Sequence, residues 1–271
     1  MKNVFVVCKK ELTSYFYSPI AYVVITIFLL VSGYFFFMLM QGYALDSQAV
    51  MSNPYDPYVT QFLAEFPLNA AERVFNPLFG NLSVIMLLMM PLLTMRLLAE
   101  EKKSGTFELL LTYPLRDTDT VLGKFLACLL VFITMLAGTL IYPLFLASIS
   151  NPSSGMGGSG IDWGPLLSGY LGMLLLGAAF IAFGLLASSL TSNQIVAAVI
   201  SFGSLLLFWL VGSANTDSGL SVVLQDLSIL YHFESFAKGT IQSHDVVYYV
   251  NFIVFCIFLT LRSLESNKWR G

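Results

Sequence analysis

The side chains best suited to metal, acid–base or nucleophilic chemistry are few in this chain and poorly spaced for it. His232 and His244 are its two histidines. They lie in one polar stretch without the H-E-x-x-H spacing that sets two zinc ligands and a general base on one helix face. Ordinary surface histidines are the expectation for both. Cys8, Cys128 and Cys256 form no C-x-x-C pair; two sit in apolar runs and one near the N-terminus, which reads as small packing residues without disulfide or metal. No G-x-x-x-x-G-K-[ST] loop is present to cradle phosphate, so ATP is not bound by that route. The expectation is no catalytic, cofactor-binding or metal-binding residue. What remains is a charged stretch at 97–124, "LLAEEKKSGTFELLLTYPLRDTDTVLGK".

That stretch stands between two long oily runs. Glu100, Glu101, Lys102 and Lys103 continue a helix in mixed charge suited to water, Ser104 follows, and Gly105 breaks the helix. Thr106 can cap a new one, with Glu108 near its positive end. "FELLLTY", from Phe107 through Leu110 and Leu111, makes about two turns before Pro114 stops it. Asp117 or Asp119 then caps the next helix. A helix this short is marginal alone in water. It makes sense docked, either on its own bundle or in the groove of a cytoplasmic partner.

The elements around it follow from composition. Hydrophobic residues make up 57% of the 271 and charged residues 11%, against about 25% charged in a soluble domain. An all-α integral membrane protein is expected, with lipid as its main solvent. No Lys/Arg block of the kind that binds nucleic acid is present. Six runs have spanning length, about 20 residues for a bilayer core: 20–40, 77–97, 121–149, 165–190, 195–212 and 246–262. Backbone groups must be satisfied internally in lipid, so the runs are helices. Lys9, Lys10 and Glu11 interrupt the first apolar patch, which argues against a cleavable signal peptide.

Lys and Arg placement sets the orientation. With the N-terminus inside, Lys2, Lys9, Lys10, Arg96, Lys102, Lys103, Arg116, Lys124, Arg262, Lys268 and Arg270 are inside, and Arg73 and Lys238 outside. The positive-inside rule makes the rich side cytoplasmic, with both termini there. Residues 98–120 are then a cytoplasmic loop, and 41–76 and 213–245 are outer segments. Apolar residues at 220, 223, 224, 227, 230 and 231 predict a short helix that dips back as a re-entrant pair or lies at the interface. Residues 1–18 form an interfacial elbow helix, with Phe5, Cys8, Leu12, Tyr15 and Phe16 on one face and Lys2, Lys9, Lys10 and Thr13 elsewhere. In the fourth run, Ala178/Ala182 and Gly184/Ser188 are pairs of small residues that permit close helix approach.

No ionisable side chain falls near the middle of a run. Arg96 and Lys124 sit at ends, where long side chains snorkel to water. Ion-coupled carriers place charge at depth, so this pattern disfavours them and points to an energy source outside the chain.

"EEKKSGTFELLLTYPLRDTDTVLGKFLA" resembles the cytoplasmic loop of ABC-2 type transporter permeases, with Glu101, Gly105, Thr106, Glu108, Leu110, Leu111, Pro114, Gly123 and Lys124 at the matching positions. "KKELTSYFYSPIAYVVITIFLLVSGYFF" and "LSILYHFESFAKGTIQSHDVVYY" are similar to the gliding-motility-associated branch of that family. The resemblance implies a six-span, type V exporter-like transmembrane domain in a bacterial inner membrane. It further implies that the loop is a coupling helix driven by a separate cytoplasmic ABC ATPase subunit, which carries ATP and Mg. A second permease protomer, identical or related, and a periplasmic-domain auxiliary subunit are the other partners implied. A complex that transmits motion to a periplasmic or gliding-motility partner without moving a substrate is the alternative, motivated by the long acidic 41–76 segment.

Overall fold

A computed structural model describes residues 2–52, 69, 71–105, 116–149, 162–212, 226 and 228–268. Among them the regular elements are all helical. In order they are α1 (Lys2–Tyr17), α2 (Pro19–Ser52), a π-helical turn (Ala71–Phe75), α3 (Asn76–Thr94), α4 (Arg96–Lys103), α5 (Asp117–Thr139), α6 (Ile141–Ile149), α7 (Trp163–Leu190), α8 (Gln194–Gly212), α9 (Tyr231–Ala237) and α10 (Ser243–Lys268). Five stretches are long and apolar enough to cross a membrane: Pro19–Ser52, Glu72–Lys103, Asp117–Ser148, Trp163–Leu190 and Ser243–Ser266. The expected run at 195–212 forms the shorter apolar helix α8.

α7 is the axis of the bundle. It is apolar all round, as a helix enclosed by others is, and its glycines admit large neighbours. A Cβ at Gly169 would stand 2.1 Å from the Phe79 ring, one at Gly177 2.2 Å from Phe132, and one at Gly184 2.0 Å from Thr94 Oγ1. α3 and α5 therefore seat side chains where α7 has none. The Gly184/Ser188 pair read from the sequence lies on this contact.

Proline marks the joints. Pro143 in α6 leaves the Thr139 carbonyl without its helical donor, and the Tyr170 hydroxyl on α7 donates to that oxygen at 3.1 Å. The neighbouring Tyr142 hydroxyl donates to the Leu29 carbonyl at 3.2 Å, linking α6 to α2. In α3, Pro91 precedes the step at Met95 into α4.

Three expectations shift. α2 stays helical to Ser52, past the expected span end at 40. Its far end meets the π turn through Arg73–Asp46 at 3.3 Å. On α1 the face packed into the bundle is Val7, Cys8 and Tyr15, with Glu11 and Leu12 half-buried, while Phe5 and Phe16 are exposed. Aromatic bulk does not choose the face: Gly123 on α5 leaves a slot that suits Val7, where a Cβ would come within 2.7 Å of the valine side chain. α5 begins at Arg116 without a side-chain cap. Asp117 and Asp119 fall inside its first turn, after the N-cap position, where their charge favours the helix dipole.

Of the segment 213–245, residues 226 and 228–245 are described. Among the described residues of that segment the helix is α9; most of the rhythm at 220–231 lies outside the described residues. α9 buries His232, Phe233, Phe236 and Ala237. A turn with Gly239 at φ 86° returns the chain to α10.

Candidate functional site

The charged stretch divides between described and undescribed residues. Glu100, Glu101, Lys102, Lys103, Ser104 and Gly105 are described; Thr106, Phe107, Glu108, Leu110, Leu111 and Pro114 lie outside the described residues. Gly105 has φ 70°, the left-handed conformation that follows many helix ends and favours glycine. Ser104 is the C-cap, its N–H donating to the Glu100 carbonyl at 2.9 Å. Nothing stands within 4 Å of a Cβ at Gly105, so its requirement is conformational.

Three elements meet on one side chain. Lys124, one turn into the apolar part of α5, does not snorkel. It is 1% exposed, and its Nζ donates to Glu101 Oε1 of α4 at 2.8 Å and to Glu11 Oε1 of α1 at 3.0 Å. A buried ammonium costs several kcal/mol unless paired, and two carboxylates supply the pairing. Sequence reasoning matched Lys124 and Glu101 to one motif but missed Glu11. The available signal was an acid one turn before Tyr15 on the face that packs.

Around this clasp lie more ties. Tyr15 of α1 donates to the Leu93 carbonyl at 2.8 Å. Burial pushes its phenol well above the ordinary range, so it remains a donor through the physiological range. The Arg96 guanidinium lies 4.4 Å from the centre of the Tyr15 ring and donates to Ser18 Oγ at 2.9 Å. On α7, Ser188 Oγ accepts from the Leu98 and Ala99 N–H groups, each at 3.0 Å, and donates to the Met95 carbonyl at 3.0 Å. The hydroxyl thus satisfies backbone groups where α3 steps into α4. Lys102 Nζ donates to the Ser189 carbonyl, and Ser263 Oγ of α10 donates to the same oxygen at 3.2 Å. Asn3 Nδ2 reaches Asp119 Oδ2 at 3.4 Å.

Lys10, Glu11, Tyr15, Arg96, Glu101 and Lys124 line part of a polar cleft of about 280 Å³ here. Glu100 and Lys103 remain exposed. The arrangement offers no nucleophile poised beside a base. It joins the two ends of the charged loop, Glu101 and the start of α5, to the elbow helix, so that displacing one displaces all three.

A second charged cluster stands at the other end of the bundle. α10 runs from Asp245 to Ser263 beside Ser189, a helical rise of about 27 Å. His232 is buried, contrary to the surface expectation, whereas His244 is exposed. His232 Nδ1 lies 2.7 Å from Asp245 Oδ1 and its Nε2 3.0 Å from the Asp226 carbonyl.

A family model described as ABC-2 family transporter protein matches residues 5–268. No curated protein matches the chain. The chain belongs to the ABC-2 family of transporter proteins, and is thereby the multi-pass membrane subunit of an ABC transporter.

Proposed function

We propose that this ABC-2 family chain is the permease subunit of an export-type transporter, powered by a separate cytoplasmic ABC ATPase that binds ATP and Mg. Residues 98–120 are its coupling loop. Glu100, Lys103 and the segment with Phe107, Glu108, Leu110 and Leu111 face the ATPase. Two protomers, identical or related, flank a central path in a bacterial inner membrane, with both termini in the cytoplasm and α8 as the sixth span. The branch resemblance adds a periplasmic-domain partner.

The observation that carries the reading is the Lys124 clasp. A push on a loop hinged at both ends would bend the loop and be lost. Here the incoming end (Glu101), the outgoing helix (Lys124) and the elbow helix (Glu11) share one buried ion cluster. Closure of the ATPase pair then tilts α1, α4 and α5 as a body, and α7 follows through Ser188 and Lys102. Rigid-body rotation of this kind is a standard way to turn a local change into a global one.

The test is co-expression with a candidate ABC ATPase subunit from the same genome. Charge reversal at Glu100 and Lys103, which are exposed, is expected to reduce co-purification of the ATPase and its stimulation by the permease. Replacing Gly105 with Val is expected to leave assembly partial and to uncouple hydrolysis. ATPase capture and stimulation unchanged in both variants would overturn the assignment of this loop.

A further inference from the structure

We propose that His232, His244 and Asp245 form a divalent transition-metal site of zinc type at the end of the bundle opposite the Lys124 clasp. The three ligand atoms lie within 4.8 Å of one another. His232 Nδ1 is 2.7 Å and His244 Nε2 is 2.8 Å from the same oxygen, Asp245 Oδ1. Two imidazole nitrogens and one carboxylate oxygen make a recurrent three-ligand set for zinc, with a fourth position left to water.

The surroundings are those of a ligand cluster more than of a chance salt bridge. Metal-bound histidines usually donate their second ring N–H to a carbonyl or carboxylate, which fixes the tautomer. His232 is placed for this: its Nε2 faces the Asp226 carbonyl at 3.0 Å, so that with the proton on Nε2 the Nδ1 lone pair is available to a metal in place of the hydrogen bond that Nδ1 otherwise donates to Asp245. Asp245 is likewise oriented, because Ser235 Oγ donates to its other oxygen, Oδ2. Tyr248 stacks on the His232 ring at 3.9 Å and holds its plane. Asp245 itself is 1% exposed. A carboxylate so buried needs a cation or a full set of donors.

Access and room are both present. His244 is 62% exposed at its side chain, so the cluster opens to water on that side. Ligand atoms around a tetrahedral zinc stand about 3.3 Å apart, given bonds of about 2.0–2.1 Å. The two nitrogen–oxygen spacings, 2.7 and 2.8 Å, are shorter by about half an ångström; rotation of the exposed His244 side chain opens the second, and a small displacement of the Asp245 carboxylate away from His232 is needed to open the first. Metal binding would release protons and join α9 to the first turn of α10 across the Gly239 turn.

The experiment uses the full chain in detergent, stripped with a chelator and titrated with Co²⁺ alone. One Co²⁺ per chain is expected, with the intense visible bands of four- or five-coordinate cobalt, no sulfur charge-transfer band, and displacement by Zn²⁺. His244→Ala, at an exposed position, is expected to keep the elution volume and helicity of the parent and to weaken binding at least about tenfold. Ser235→Ala is expected to weaken it about 10–100-fold. Zn²⁺ is expected to raise the melting temperature of the parent and not of His244→Ala. No Co²⁺ uptake by the parent would overturn the site and leave a hydrogen-bonded Asp245 cluster; uptake unchanged in His244→Ala would place the ion elsewhere and overturn it equally.

Discussion

The two buried charge clusters differ in how much of the chain each needs. Lys124 is 113 residues from Glu11 and 23 from Glu101, so its clasp exists only once α1, α4 and α5 have packed. Asp245 is 13 residues from His232 and 10 from Ser235, and one tight turn brings the group together. A cluster strung across three elements senses their relative motion. A cluster closed within one hairpin of helices fixes a local shape and is indifferent to motion elsewhere. The first suits the end of the bundle that would receive a push, the second a segment that has to keep its form while the bundle moves.

Breaking the long-range cluster is expected to have the largest effect. Lys124→Met leaves Glu11 and Glu101 facing each other at side-chain exposures of 14% and 15%. Removing one partner of a buried pair costs about 3–5 kcal/mol. Unfolding measured in detergent should show that loss, and adding Glu11→Gln and Glu101→Gln should recover most of it. If the triple variant is no more stable than Lys124→Met, the cost is one of shape, and the carboxylates are not a clasp.

Asp245→Asn comes next. The amide keeps the volume but presents an NH₂ group where donors from His232, His244 and Ser235 converged, for a loss of about 1.5–3 kcal/mol. The comparison predicts a local consequence: hydrogen exchange should rise in α9 and the first turn of α10 while α1, α4 and α5 keep their protection. Protection lost at the Lys124 end would mean that the two clusters are coupled after all.

Gly123→Val tests the elbow contact without touching charge. The new side chain would start 2.7 Å from Val7 and 3.1 Å from the Val4 carbonyl, an overpacking worth about 1–3 kcal/mol. Cys8, next to Val7, is buried and its thiol is pushed up by that burial, so it should react slowly with maleimide in the parent and faster in the variant. An unchanged rate would mean that α1 accommodates the valine without lifting from α5.

The sequence showed these regions unequally, for physical reasons. Span-length apolarity, the helix break at Gly105 and the small residues of α7 are local properties, and they are present as read except that the run at 195–212 forms a shorter helix than the other five. The partner of Lys124 was not legible, because an isolated lysine beside an apolar run looks the same whether it snorkels or is bridged, and only the approach of α1 decides. Phe5 and Phe16 did not mark the face of α1 that packs on the bundle, because hydrophobicity does not distinguish a bundle contact from lipid, whereas the Gly123 slot does. His232 looked superficial because its neighbours Tyr231 and Glu234 are polar. The signal that it is buried, an Asp one turn into the following helix across a glycine turn, appears only when both sides of the turn are considered together.

The smallest effect belongs to a surface pair in the same segment, and it sharpens the contrast. Lys238 and Glu234 are 3.2 Å apart on α9 in the i,i+4 arrangement, with side chains 70% and 63% exposed. Solvent screens such a pair, and ordering two long side chains offsets much of the attraction, leaving about 0.3–0.5 kcal/mol. Lys238→Ala should therefore shift stability by no more than that, and the shift should vanish in high salt. Asp245→Asn should keep its full cost in the same buffer, since its partners are shielded from ions. If Lys238→Ala costs as much as Asp245→Asn, α9 is held by surface charge, and the buried cluster is not what gives this segment its form.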